Sequence, residues 1–149
     1  MTAPFAATAD RLIGDLTALR ARRPDCRLVA YCDLDARLVL RHAAHPTIRQ
    51  EVLDRLSEEA HQAFGLSQRV KRALPPELLP PHDSHDAQET PEGIRLIDDR
   101  GVRLFLRVPT APQDALILLC QTPDGAEALL PEAERLLLGM QLGAGAGTA

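Results

Sequence analysis

Two β-hairpins with short turns constrain the fold of this chain more than any other feature. In the first hairpin, the strand pattern CRLVAYC is followed by the turn DLDA and the returning strand pattern RLVLRH. In the second, GIRLI and VRLFLRV flank a turn at residues 98–101. A parallel connection would need a crossover of about a dozen residues or more, so strands joined this closely run antiparallel. The chain is therefore expected to contain an antiparallel sheet.

The distribution of apolar residues indicates where each strand lies in that sheet. The strand beginning at Cys26 and a fifth strand, DALILLCQ at residues 114–121, are apolar on both faces, which is typical of central strands. The strand at residues 102–108 has one apolar face, whereas its other face carries Arg103, Phe105 and Arg107. That mostly polar face favours a peripheral or only partly covered strand.

Three helices are expected around these strands. The first covers about residues 8–22, where apolar residues recur at the spacing of a helix. The last covers about residues 129–140, with Pro131 expected in its first turn, where proline is tolerated.

The middle helix has the clearest sequence signals. Thr47 and Gln50 have the spacing of a capping box, in which their side chains bond to free backbone N–H groups. An apolar stripe follows over residues 47–64 and continues, past a possible interruption at Gly65, until the proline pair at residues 75–76 stops the helix.

The element order predicts a single α+β domain over residues 1–149. Its order is α-β-β-α-β-β-β-α, around one five-stranded antiparallel sheet. Residues 75–93 are expected to form a proline-rich loop insertion, and residues 143–149 a flexible tail.

Composition excludes several classes of function. Aromatic residues make up only 3% of the chain, which disfavours nucleic-acid modules that stack bases on aromatic rings. The net charge of −4 gives no general attraction to phosphate backbones. Every basic residue except Lys71 is arginine, a bias that suggests GC-rich coding and a bacterial source.

A cytoplasmic location is expected from the cysteines and from the absence of export signals. Cys26, Cys32 and Cys120 have no CxxC spacing and fit free thiols in a reducing compartment. The opening residues MTAPFAATADRL lack the basic and apolar regions of a signal peptide. The longest apolar run, ALILLC, is too short to span a membrane.

The segment HDSHD, residues 82–86, is the strongest candidate for a metal site. A structural zinc offsets the entropy of ordering such a loop only with a full set of ligands, typically thiolates or imidazoles. This segment offers two imidazoles and two carboxylates between proline pairs, and no cysteine lies near it in the sequence. A solvated, mobile insertion that binds no metal is favoured.

Other polar groups also have ordinary interpretations. His42 and His45 lie three residues apart near a strand end, and such residues point to opposite faces. His61 is interpreted as part of a solvated helix face, and Asp33 and Asp35 as turn residues. The chain contains no GxSxG elbow and no evident cysteine–histidine framework. No catalytic, cofactor-binding or metal residue is assigned, and the chain is predicted not to be an enzyme.

In element order and pattern, the chain resembles the Roadblock family of dynein light chains and bacterial GTPase regulators. The segments that carry the resemblance are LVAYCDLDARLVLRHA, TIRQEVLDRLSEEAHQAFG and GVRLFLRVPTAPQDALILLC, followed by a closing helix. Two features depart from the family pattern: Ala36 replaces a frequent glycine in the first turn, and the linker at residues 75–93 is longer.

The resemblance implies a non-enzymatic homodimer that binds a small Ras-like GTPase or acts as a scaffold, with helices on both faces of its sheet. Family members pair through the central helix and the edge strand after it. The middle helix of this chain also carries a broader apolar stripe than one sheet face needs. The interface residues expected on this basis are Ile48, Val52, Leu53, Leu56, Phe64, Ile94 and Leu96. The periodicity leaves open which side of the stripe meets the sheet.

Two other classes of function stay open at this point. A sensory domain of the GAF or PAS type also wraps helices around an antiparallel sheet, but it encloses a small ligand in a pocket. A small metalloenzyme would use His82, His85 and Asp86. Metal analysis of the purified protein separates the metalloenzyme from the other two classes.

Overall fold

The computed structural model describes residues 4–79 and 91–146. It contains three helices and five strands in the predicted order. The elements are α1 (Pro4–Ala21), β1 (Cys26–Asp33), β2 (Leu38–Ala44), α2 (Gln50–Ala73), β3 (Gly93–Asp98), β4 (Gly101–Val108), β5 (Ala111–Cys120) and α3 (Pro123–Ala146). A short 3-10 helix at Pro76–Leu78 follows α2.

The five strands form one sheet in the order β2-β1-β5-β4-β3, and every neighbouring pair is antiparallel. The last strand, β5, occupies the centre of the sheet between β1 and β4. Its residues 115–118 are all buried, as are most residues of β1. The prediction that β1 and β5 are interior strands is therefore confirmed.

The sheet is covered on both faces, which gives the domain three layers. On one face, α1 and α3 pack through side chains such as Leu16 and Leu137 against Leu116 and Leu118 of β5; this is the α1/α3-side core. On the other face, α2 packs over a second cluster, the α2-side core, which includes Ile117 of β5. The antiparallel α+β architecture expected from the sequence is confirmed.

The position of β4 corrects one prediction. This strand is not peripheral, since it pairs with both β5 and β3. Val102 and Leu104 point to the α1/α3-side core, and Phe105 points to the α2-side core, as the alternation indicated. Arg103 lies on the same face as Phe105 and is nevertheless only 7% exposed. Its polar character reflects a nearly buried ion pair rather than a strand at the edge of the sheet.

Both hairpin turns depend on particular residues, through side-chain hydrogen bonds to the backbone or through a positive φ angle. The Asp33 carboxylate accepts hydrogen bonds from the backbone N–H groups of Asp35 and Ala36, both at 2.9 Å, so Asp33 serves the turn as expected. Arg37 has φ of 55° in this turn. In the second turn, Gly101 has φ of 119°, and a Cβ atom there would lie 2.6 Å from the carbonyl oxygen of Cys120.

The helix ends differ from the predictions in three places. α1 begins at Pro4 rather than near residue 8. α2 begins at Gln50, with Arg49 rather than Thr47 at the N-cap position and no side-chain cap, so the predicted capping box is wrong. Gly65 does not interrupt the helix.

α3 is longer than predicted at both ends. Pro131 lies inside the helix, and Pro123 occupies its first turn. The Thr122 hydroxyl accepts a hydrogen bond from the backbone N–H of Gly125 at 3.1 Å and so caps this helix. The helix extends to Ala146, so residues 143–146 are helical rather than part of the tail, and residues 147–149 lie outside the described residues.

Candidate interaction surface

One side of α2 serves the core of the chain itself. Its buried residues are Leu53, Leu56, Ser57, Ala60 and Phe64, at the spacing of one helix face, and the apolar members pack in the α2-side core. Leu53, Leu56 and Phe64 are at most 4% exposed. Three of the residues expected in a dimer interface thus have almost no surface to offer a partner. The question that periodicity left open is answered, because their side of the stripe meets the sheet.

The other four expected interface residues lie at the margin of the same core. Ile48, Val52, Ile94 and Leu96 are partly buried and pack against its edge. Each keeps some surface outside the core. The seven residues expected at the interface are thus close together in the structure. Three of them are core residues, and four lie at the edge of the core.

An exposed apolar stripe continues along α2 after its last buried residue, Phe64. Leu66, Val70 and Leu74 recur every four residues and are 55%, 47% and 37% exposed. Their helical spacing was visible in the sequence, where it was interpreted as a continuation of the core stripe. The structure shows that burial ends at Phe64 whereas the apolar stripe does not.

This stripe belongs to a side of α2 that we call the α2 flank, which carries Val52, Glu59, Ala63, Leu66 and Val70. Each residue advances about 100° around a helix, so Val52 and Val70 lie about five turns apart on the same side. Glu59, between them, forms an ion pair with Arg103 of β4. The α2 flank therefore faces the side of the sheet where β4 and β3 lie.

β3 is the edge strand on that side. Among the described strands it pairs only with β4, so its outer backbone groups face no other described strand. Ile94 and Leu96 turn toward the α2-side core. Arg95, on the other face, forms an ion pair with Glu127 of α3. Ile97 is 59% exposed. An edge with exposed apolar side chains is suited to pairing with another chain.

Arg103 of β4 forms ion pairs with Glu59 of α2 and with Asp98 at the end of β3. The Arg103 guanidinium donates two hydrogen bonds to the Asp98 carboxylate, at 2.7 and 3.1 Å. Its Nε forms an ion pair with a Glu59 oxygen at 2.8 Å. The bonds from Arg103 lower the pKa of Asp98 to about 2, and the same pairing raises the pKa of Arg103.

A second group of ion pairs lies at the other end of β3. Glu92, just before the strand, forms ion pairs with Arg107 at 3.0 Å and with Lys71 of α2 at 3.2 Å. The Arg107 guanidinium also lies over the Phe64 ring, 4.4 Å from its centre. Ion pairs therefore link α2 to both ends of β3, so the α2 flank and the β3 edge are neighbours.

The histidines singled out in the sequence do not form a site in the part of the chain that is described. His42 and His45 are exposed. The Nδ1 atom of His61 lies 2.8 Å from the Leu34 carbonyl oxygen, which makes the ring a link from α2 to the first hairpin turn. The interpretation of His61 as a merely solvated residue is therefore wrong.

His82, His85 and Asp86, which a metalloenzyme would use, lie outside the described residues, and so does the rest of the segment predicted to bind no metal. Within residues 4–79 and 91–146, no group of three histidine, cysteine, aspartate or glutamate side chains could hold a metal ion. None of the helices in these ranges is long and apolar enough to cross a membrane.

A shallow hollow lies at the end of the sheet where β5 stops. Its volume is about 220 Å³, and it is lined by Arg27, Asp99, Arg100, Gly101, Leu119, Cys120 and Gln121. Pockets for drug-sized ligands occupy about 300–1,000 Å³ and are mostly apolar. This small polar hollow therefore gives no support to the alternative of a sensory domain that encloses a ligand.

Comparison with solved structures places the fold. A crystal structure of a Roadblock/LC7 domain from Streptomyces avermitilis matches with a TM-score of 0.63 at 14% sequence identity, over 87% of this chain and 93% of that chain. No protein-family model and no curated protein matches the sequence. At this identity the likeness shows the fold alone. The resemblance to the Roadblock family is confirmed at that level.

Proposed function

We propose that this chain is a non-enzymatic regulatory or scaffold domain that pairs with a second copy of itself through the α2 flank and the β3 edge. The observation that carries the proposal is the exposed stripe of Leu66, Val70 and Leu74 beside an edge strand with no further described neighbour. Three regularly spaced apolar side chains next to a strand edge are unusual on a surface that stays in water.

The chemistry of this surface suits a two-fold contact. An edge strand can add a second strand through backbone hydrogen bonds, while side chains from the flanking helix supply specificity. A two-fold interface uses the same patch on both subunits, so each apolar residue contributes twice. Full burial of a leucine or valine contributes about 1.5–3 kcal/mol, and the half-exposed residues of the α2 flank have roughly half of that still to gain.

The proposed partner of the dimer is a small Ras-like GTPase. This step is supported by the Roadblock/LC7-type fold and by the family resemblance of the sequence. It predicts that the chain binds such a GTPase with an affinity that differs between the GDP-bound and GTP-bound states, because a regulator must distinguish the two states. Calorimetric titration of GTPases from the source genome, loaded with GDP or with a non-hydrolysable GTP analogue, measures this difference.

Dimer formation is tested by multi-angle light scattering at micromolar concentrations. The unmodified chain is expected to be a dimer, and Val70→Asp a monomer, because the substitution places two carboxylates in the interface. Val70 is already 47% exposed in the protomer, so the fold should survive, and circular dichroism checks this.

Leu40→Asp is the matched control. Leu40 is 40% exposed and lies on β2, the strand at the opposite edge of the sheet. It should leave the dimer intact. A monomeric unmodified chain would refute the pairing. A dimer that survives Val70→Asp but not Leu40→Asp would move the interface to the β2 edge.

A further inference from the structure

Two cysteines lie opposite each other on the neighbouring central strands β1 and β5. Cys26 is the first residue of β1, Cys120 is the last residue of β5, and the two are paired across the strands. Just outside this pair, the backbone N–H of Gln121 donates to the carbonyl of Asp25 at 3.0 Å. A hydrogen bond in that position marks a non-hydrogen-bonded pair, in which antiparallel Cα atoms are about 4.5 Å apart. A disulfide bridges Cα atoms about 4.4–6.8 Å apart.

The two thiols also point to the same place. Both side chains lie in the α1/α3-side core and are 0% and 1% exposed. The Cys26 S–H donates to the Leu28 carbonyl oxygen at 3.6 Å. The neighbouring Cys120 thiol lowers the pKa of Cys26, and the positive charge of Arg20 acts in the same direction. The adjacent Cys26 thiol, together with burial, raises the pKa of Cys120. Cys26 is thus the thiol of the pair whose pKa is lowered, and we take it as the nucleophile.

The pair lies at the end of both strands, although it is buried. The strand register shifts directly after Cys26, and the next residue after Cys120, Gln121, is exposed. Strand ends open locally far more often than the whole protein unfolds. A small oxidant can therefore reach Cys26 without disruption of the core.

We propose that Cys26 and Cys120 are an oxidation site, at which a peroxide converts the two thiols into an intramolecular disulfide. The Cys26 thiolate attacks one peroxide oxygen, the O–O bond breaks, and Cys26 becomes a sulfenic acid. The other oxygen leaves as hydroxide and takes up the proton that Cys26 released on ionisation, which gives water. The Cys120 sulfur then attacks the sulfenic sulfur, the S–O bond breaks, and the departing hydroxide takes the Cys120 proton as water. Hydrogen peroxide is the oxidant, and it is reduced to water.

The consequence is a cross-link between two interior strands that are distant in the sequence. A disulfide that closes so long a loop removes conformational freedom from the unfolded chain, so the oxidised protein should melt at a higher temperature. Cys32 provides an internal comparison. It lies in the α2-side core opposite Ala115, and burial raises the pKa of its thiol to about 12.

The experiment treats the reduced full-length chain with hydrogen peroxide and then alkylates it in denaturant. Of the three free thiols, only Cys32 should remain alkylatable, and peptide mapping should join Cys26 to Cys120. Dithiothreitol should restore all of them. Cys32→Ser should still form the cross-link, and Cys120→Ser should not.

The number of alkylatable thiols in the unmodified chain tests the proposal even if Cys120→Ser folds poorly. Three alkylatable thiols after peroxide treatment would overturn the proposal. A cross-link that includes Cys32, or one that joins two chains, would overturn it as well. None of these outcomes depends on whether the chain forms a dimer through α2.

Discussion

Arg103 is nearly buried and forms ion pairs that sequence analysis did not identify. Its alternation with Val102 and Leu104 correctly placed it on the opposite face of β4, which the structure shows to be the α2 side. Its charge then suggested an exposed strand, whereas its side chain is only 8% exposed and lies between Asp98 and Glu59. Asp98 is near in sequence, but Glu59 lies on another element, so local periodicity could not identify the cluster.

Arg103→Ala is expected to lower the free energy of unfolding by about 2–3 kcal/mol. Breaking a fully buried ion pair typically costs roughly 3–5 kcal/mol, and the loss is smaller here because Asp98 and Glu59 are partly hydrated. The loss should depend on pH. The pKa of Asp98 is about 2 in the folded chain, below its usual value of 3.8. Its contribution is therefore complete above pH about 4 and disappears as the pH falls toward 2.

Urea denaturation between pH 6 and pH 2 measures both effects. The difference in stability between the unmodified chain and Arg103→Ala should narrow at the acidic end. Arg100→Ala is the control, because it removes an exposed arginine from the same hairpin but keeps the backbone N–H that donates to Asp98 at 2.9 Å. It should change the stability and its pH dependence much less than Arg103→Ala does. A constant gap across this range would show that Asp98 does not contribute through Arg103.

At the scale of elements, the start of α2 shows the limit of motif recognition. Thr47 and Gln50 have the spacing of a capping box, but the helix begins two residues later than this motif requires. Ile48 packs against the α2-side core from the segment before the helix. Arg49, the next residue, occupies the N-cap position in extended backbone, with φ of −72° and ψ of 150°. Tertiary packing thus overrides a local capping signal.

Arg49→Asp should therefore stabilise the protein. An aspartate at an N-cap accepts a hydrogen bond from the first turn and complements the helix dipole, which is worth about 0.5–2 kcal/mol. Thr47→Ala should have little effect, because Thr47 is exposed and does not cap α2. Chemical denaturation of both variants checks this, and a large loss in Thr47→Ala would instead support the capping box.

At the scale of the whole molecule, the element order and the interior positions of β1 and β5 followed from the sequence. Hydrophobic alternation and short turns determine strand pairing locally, and they leave few topologies. The interface residues stay a prediction. Periodicity located Val52 and Leu56 on one helix, but only packing against the sheet separates Leu56, which is 4% exposed, from residues that can meet a partner.

That separation makes a thermodynamic prediction for Leu56 and Val70. Leu56→Asp places a carboxylate in the α2-side core and should cost about 3–5 kcal/mol of protomer stability. Its melting temperature should fall at every protein concentration. Val70→Asp should instead remove the concentration dependence of melting, since a dimer that binds only folded chains gains stability by mass action. Thermal melts over a hundredfold concentration range compare the two. If Leu56→Asp melts like the unmodified chain, Leu56 does not belong to the core, and the assignment of the two sides of α2 is reversed.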